Sequence, residues 1–195
     1  TFVLNYFVHG FSVRGYHLVN LCIHLIAGIL LYFLLKTILG LPTIQNRLRM
    51  TAGIAFASAL LWMVHPLQSQ AVSYIVQRMT SLAALFIVLS LLLYARGRLA
   101  ASVDRRFLMM GGSFLSWILA MGSKEIAVTL PLFILLYEWF FVRDLHGDWL
   151  RNNKKYLIGC GIVLLAVPFL FLGETPWTVI AGGYAARDFT LGQRM

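Results

Sequence analysis

The sequence predicts an all-α integral membrane protein with about six transmembrane helices and a short helix lying on one membrane face. Three observations carry this. Hydrophobic residues make up 60% of the chain and charged residues 12%, whereas a soluble domain needs about a quarter charged. Mean hydropathy is +0.81. The apolar residues fall in runs long enough to cross a hydrocarbon core of roughly 30 Å at about 1.5 Å per residue. The net charge of +9 comes from Lys and Arg spread over short loops rather than gathered on one face. That distribution fits positive-inside topology and leaves no case for nucleic-acid binding.

Residues 1–15 mix aromatics with Asn5, His9, Ser12 and Arg14 and lack an unbroken apolar run, so they belong at the interface. Spans are expected near 16–39, 50–64, 79–94, 107–121, 126–142 and 156–172, with a polar loop at 173–195. Between the second and third spans lies HPLQSQAVSYIVQR, residues 65–78. Pro66 disfavours α geometry at His65 and suits the first turn of a new helix. Gln70, Tyr74, Gln77 and Arg78 then share one helical face, with Val72, Ile75, Val76 and Met79 opposite. The basic loop 95–106 and the aqueous stretch 143–155 separate later spans. Cys22 and Cys160 sit near opposite membrane faces, which argues against a disulfide between them. The chain opens on Thr1 without a signal-peptide pattern and stops at Met195 after a polar segment, so it is expected to be a fragment of a longer protein.

Counting basic residues sets the orientation. Arg47, Arg49, Arg96, Arg98, Arg105, Arg106, Arg143, Arg151, Lys154 and Lys155 lie on one side, with Lys36 snorkelling toward it; Arg14, Arg78, Lys124, Arg187 and Arg194 lie on the other. The first side is expected to be cytoplasmic. Residues 1–15, 65–78, 123–125 and 173–195 therefore share the extracytoplasmic face.

On that face, His65, Gln70, Tyr74, Gln77 and Arg78 suit a lipid head group or a carbohydrate, since Arg offers a planar donor fork and Tyr and Gln bond hydroxyls. An ordinary interfacial helix with Arg78 on lipid phosphate accounts for them equally well. Lys124 and Glu125 at a membrane boundary are costly unless solvated, paired or functional; a snorkelling pair at a tight turn is the alternative. His17, Asn20 and His24 form a stripe on the first span, read as polar contacts between packed helices in preference to a metal site. Glu138 is expected to have a partner inside an aromatic belt, with Arg143 five residues on. There is no Walker A loop, GxGxxG, GxSxG or zinc-type CxxC.

The order LNYFVHGFSVRGYHLVNLCIHL, HPLQSQAVSYIVQRMTSLAALF, SKEIAVTLPLFILLYEW resembles the membrane region of the transmembrane and tetratricopeptide-repeat-containing (TMTC-like) proteins and their bacterial relatives, over residues 2–142. These are GT-C glycosyltransferases. The resemblance implies a GT-C-like fold and sugar transfer from a polyprenyl-phosphate carrier to a protein or glycan acceptor. Transfer would take place on the periplasmic face of a bacterial inner membrane. Its HP-x-QR-like segment maps to His65, Pro66, Gln77 and Arg78 and its SKE segment to Ser123, Lys124 and Glu125. With Tyr74 these are the expected substrate-binding residues. Arg78 and Lys124 would offset charge on the leaving phosphate. The resemblance puts the catalytic acid in a loop ahead of Thr1. Among Glu125, Glu174 and Asp188 on the same face, Glu125 stands in a motif, with positioning its first expected role. No cofactor is implied and a divalent metal stays open. Tetratricopeptide repeats would lie beyond Met195. The rival readings are a transporter or flippase-like module, disfavoured by largely apolar span centres, and a membrane anchor for a repeat scaffold.

Overall fold

The computed structural model describes residues 2–10, 12–45, 50–143, 145, 147–152 and 154–172. Thr1, Arg47, Arg49 and the loop expected at 173–195, with Glu174, Arg187, Asp188 and Arg194, lie outside the described residues. Ten α-helices follow one another among those described: α1 Phe2–His9, α2 Val13–Leu39, α3 Pro42–Gln45, α4 Thr51–Val64, α5 Ser69–Ser73, α6 Arg78–Leu99, α7 Val103–Met121, α8 Leu130–Tyr137, α9 Gly147–Asn152 and α10 Lys154–Leu172. Among these residues there is no strand.

Among the described residues three stretches are long and apolar enough to cross a membrane: Val13–Leu39, Ile75–Leu99 and Glu125–Val142. The expected count of six is not reached by this measure. Helix α4 is apolar but only 14 residues long, about 21 Å at 1.5 Å per residue. Helix α7 opens with Asp104, Arg105 and Arg106 inside its first turn.

The expected basic loop 95–106 shrinks to Ala100, Ala101 and Ser102. Helix α6 continues to Leu99, with Arg96 and Arg98 in its last turn, where cations favour the helix C-terminus. Ser102 caps α7 by accepting the Arg105 N–H, and Asp104 complements that N-terminus. The fifth expected span is not one regular helix. A 3-10 segment, Glu125–Thr129, leads into α8, where Pro131 sits in the first turn, and a π turn, Glu138–Val142, ends it.

Small residues let the helices approach. A side chain at Gly97 would meet the Met109 Cβ at 3.2 Å, and one at Gly112 the Leu93 Cδ1 at 3.2 Å. Beyond the Gly112 contact, Ser90 and Ser113 are buried and bond reciprocally, each hydroxyl to the other's carbonyl, at 2.8 and 2.9 Å. This is the small-residue packing that membrane helices use when apolar surroundings offer no hydrophobic drive between them. Helix α2 packs on α4 at Gly28, where an added Cβ would meet the Met63 Sδ at 2.8 Å. Ile23, Ala27 and Leu85 form one buried cluster of α2 and α6, and Leu34, Leu92, Ala95 and Tyr137 form another.

Helices α2 and α6 run in the same direction. Arg78 at the start of α6 reaches Tyr16 and Asn20 near the start of α2, and Arg96 lies over the Phe33 ring toward their other ends. One end of the bundle thus gathers residues 65–81 and 123–125, and the other gathers Arg96, Arg98 and Glu138. A double-mutant cycle on Ser90→Ala and Ser113→Ala, read by unfolding in detergent micelles, is expected to show a coupling of ~0.6 kcal/mol and not above about 1.7. Strictly additive losses would contradict the reciprocal bond.

Candidate functional site

The stripe His17, Asn20 and His24 is the seat on which the 65–78 segment rests. His24 Nε2 bonds the Met63 carbonyl at 2.9 Å, which otherwise ends α4 without an acceptor role because Pro66 interrupts the chain. The Val72 carbonyl accepts from His17 Nδ1 at 3.2 Å and Asn20 Nδ2 at 3.5 Å. These are contacts between packed elements.

Those bonds correct the expectation of one two-faced helix at 65–78. In a continuous helix the Val72 carbonyl would accept from the amide of residue 76; here α2 takes it, and the chain opens at Tyr74 (φ −99°, ψ 108°). The segment becomes a 3-10 turn at Pro66–Gln68, the short helix α5, and a second 3-10 turn at Ile75–Gln77. His65 is extended and exposed, and its side chain accepts from the Leu67 amide at 3.2 Å. Tyr74 is 61% exposed.

Arg78 departs furthest from the surface-facing pattern, since the break at Tyr74 turns it inward. Its side chain has no exposed surface. Nε donates to Asn20 Oδ1 at 2.8 Å and Nη2 to the Tyr16 carbonyl at 3.1 Å. The guanidinium lies 4.6 Å from the Phe2 ring centroid and 5.4 Å from that of Tyr16, both within cation–π range. Nη1 is buried with no bond among the described residues.

Lys124 comes to the same end from a different part of the chain. The α7 C-terminus closes through the Gly122, Ser123 and Lys124 amides, and Lys124 then turns extended. This sends its Nζ to Thr80 Oγ1 at 2.8 Å, two residues beyond Arg78. Ser123 bonds the Leu119 carbonyl, and Glu125 is exposed. Neither Arg78 nor Lys124 forms a salt bridge among the described residues. Two cations with no carboxylate partner among the described residues therefore stand at one end of the bundle, which favours an anion there.

Beside them lies a cavity of about 200 Å³ between α2, α4 and α6, bordered by Gln77 and by Thr80, the residue Lys124 holds. Of the expected substrate-binding residues, Gln77 borders this cavity, and Lys124 bonds Thr80, which borders it too. The structure sets Arg78 behind them and leaves His65, Tyr74 and Glu125 toward the outside. Thr80 and Trp62, which complete this region, carried no motif signal. The one available hint was the place of Thr80 two residues after Arg78.

A larger cavity of about 730 Å³ lies between α6, α7, α8 and α10. At its polar end Glu138 accepts from Tyr94 at 2.9 Å and from both Nε and Nη2 of Arg98. The Glu138 partner is therefore Arg98 on α6, reached across the helix interface. Among the described residues no group of three His, Cys, Asp or Glu side chains is placed to hold a metal ion.

Removing Arg78 strips the donors from Asn20 and the Tyr16 carbonyl. Arg78→Ala is therefore expected to cost about 1.5–3 kcal/mol of stability, and Arg78→Lys should fail to restore it, because one ammonium cannot serve both acceptors while stacked. Thermal unfolding of the full-length protein in detergent checks this. An Arg78→Ala protein as stable as the parent would contradict it.

No family model matches the chain, and no solved structure matches it. It does match curated proteins. It is 34% identical over 149 residues, 72% of the chain, to the human protein O-mannosyl-transferase TMTC1. It is 31% identical over 191 residues, 97% of the chain, to the Caenorhabditis elegans protein O-mannosyl-transferase F38B6.6. It is 31% identical over 159 residues, 75% of the chain, to the Drosophila melanogaster protein O-mannosyl-transferase Tmtc3. These matches span only 16%, 23% and 17% of the relatives' own lengths. Over most of its length the chain is homologous to the TMTC protein O-mannosyl-transferases, and by sequence it belongs to that TMTC-like family.

Proposed function

We propose that these residues are part of a membrane glycosyltransferase that moves a sugar from a polyprenyl-phosphate carrier to a hydroxyl of a protein acceptor. The reaction takes place on the extracytoplasmic face, which is the periplasmic face if the membrane is a bacterial inner membrane. The observation that carries the reading is the meeting of two distant segments through Lys124 and Thr80, which sets Lys124 and Arg78 at one end with no carboxylate partner among the described residues. The names of the relatives support the reaction class.

In the proposed transfer the bond from the sugar C1 to the carrier phosphate oxygen breaks, and its electron pair stays on the phosphate. A bond forms between C1 and the acceptor hydroxyl oxygen. The hydroxyl proton passes to a carboxylate base, for which Glu125 is the candidate among the described residues at this end. The Lys124 ammonium lies where negative charge grows on the departing phosphate, and the fixed charge of Arg78 adds to the potential from behind. A cation already in place needs no reorganisation as the charge develops.

The polar groups farther down the bundle do not favour a transport path. Ser90 and Ser113 bond each other, and Glu138 is held by Arg98 and Tyr94. In full-length protein reconstituted with polyprenyl-phosphate mannose and an acceptor polypeptide, Lys124→Ala is expected to lower kcat/KM by about 10²-fold or more. Lys124→Arg should recover part of the loss. Transfer that survives Lys124→Ala unchanged would contradict the proposal.

A further inference from the structure

The 200 Å³ cavity at this end is framed by groups that the transfer chemistry does not use. Gln68, Gln70 and Gln77 border it from the broken 65–78 segment, Thr80 from α6, and Trp62 and His24 from α4 and α2. None of the three glutamine side-chain amides bonds another described residue. Each amide offers two donors and an acceptor, and Thr80 adds a hydroxyl. Vicinal hydroxyls of a sugar, each donor and acceptor at once, match this set. Trp62 is held by stacking on His24, with ring centroids 5.2 Å apart and planes 29° from parallel. Its indole gives a rigid apolar wall with a negative face for the polarised C–H bonds of a pyranose.

Charge narrows the ligand. The chain carries +9 overall, yet among the described residues no Lys, Arg, Asp or Glu borders this cavity. A charged sugar would find no ion-pair partner among those lining residues, and burying it there would carry a desolvation cost. The volume is below the ~300–1,000 Å³ of typical small-molecule sites, a size for one monosaccharide rather than an oligosaccharide.

We infer that this cavity holds the sugar ring of the donor as a neutral monosaccharide, with Gln70 and Gln77 setting its specificity and Trp62 its platform. The inference rests on the glycosyltransferase reading. Lys124 links the two, since its ammonium bonds Thr80, one of the residues that border the cavity.

The test does not depend on turnover. Saturation-transfer NMR on the full-length protein in nanodiscs would measure binding of methyl α-D-mannopyranoside, with methyl β-D-glucuronide as the charged control. Saturable mannoside binding is expected, weakened at least tenfold by Gln70→Ala and by Gln77→Ala, with the glucuronide at least tenfold weaker than the mannoside. Because Gln70 is exposed, its variant should fold normally, which thermal unfolding verifies. Absent mannoside binding, equal binding in folded glutamine variants, or equal binding of the glucuronide would each overturn the inference. Loss of transfer in Lys124→Ala is read separately, so the cavity assignment and the glycosyltransferase reading can fail independently.

Discussion

A guanidinium with no surface exposed organises one end of this molecule. Arg78 joins the start of α6 to Asn20 and the Tyr16 carbonyl of α2, and it stacks against Phe2 of α1. A buried cation is tolerable only when its donors find acceptors, so the positions of all three helices are tied to it. The flanking stripe on α2 does the same for the neighbouring chain, with His17 and Asn20 on the Val72 carbonyl and His24 on that of Met63. The polar residues of α2 therefore act as a template for backbone groups that a continuous helix would have satisfied internally.

Breaking that helix has a chemical consequence. A regular helix over 65–78 would have put Gln70, Gln77 and Arg78 on one outward face. The opening at Tyr74 separates their roles: Arg78 turns inward and the glutamines border a small cavity. Lys124 arrives from the α7–α8 connection and bonds Thr80. The two ends of the bundle then differ in electrostatic character. At one, Arg78 and Lys124 have no carboxylate partner among the described residues; at the other, Arg98 is matched by Glu138, and Tyr94 completes the carboxylate's bonds. Close packing of α6 on α7 through Gly97, Gly112, Ser90 and Ser113 holds the ends apart.

Much of the fold was legible in composition and in the lengths of the apolar runs, because membrane burial imposes a one-dimensional signal on the chain. The interhelical use of His17, Asn20 and His24 was legible too, since three polar residues on one stripe of an apolar span have few other uses. The direction of Arg78 was not, because placing residues at i, i+4 and i+8 presumes an unbroken helix, and the break depends on a bond from another element. The partner of Glu138 was hidden for a related reason: Arg143 is near in sequence, while Arg98 is near only once α6 and α8 pack. The Thr80–Lys124 contact likewise joins residues 44 apart, and threonine alone carries no motif.

The central claim is that the 65–81 segment and the Lys124 turn form one site for the carrier. Photo-crosslinking of the full-length protein with a polyprenyl phosphate bearing a diazirine beside the phosphate, followed by peptide mass spectrometry, tests it most directly. The account predicts adducts on both peptides, those containing residues 66–81 and 122–129, displaced together by unlabelled polyprenyl phosphate. Displaceable adducts confined to the Arg98 and Glu138 end would contradict it.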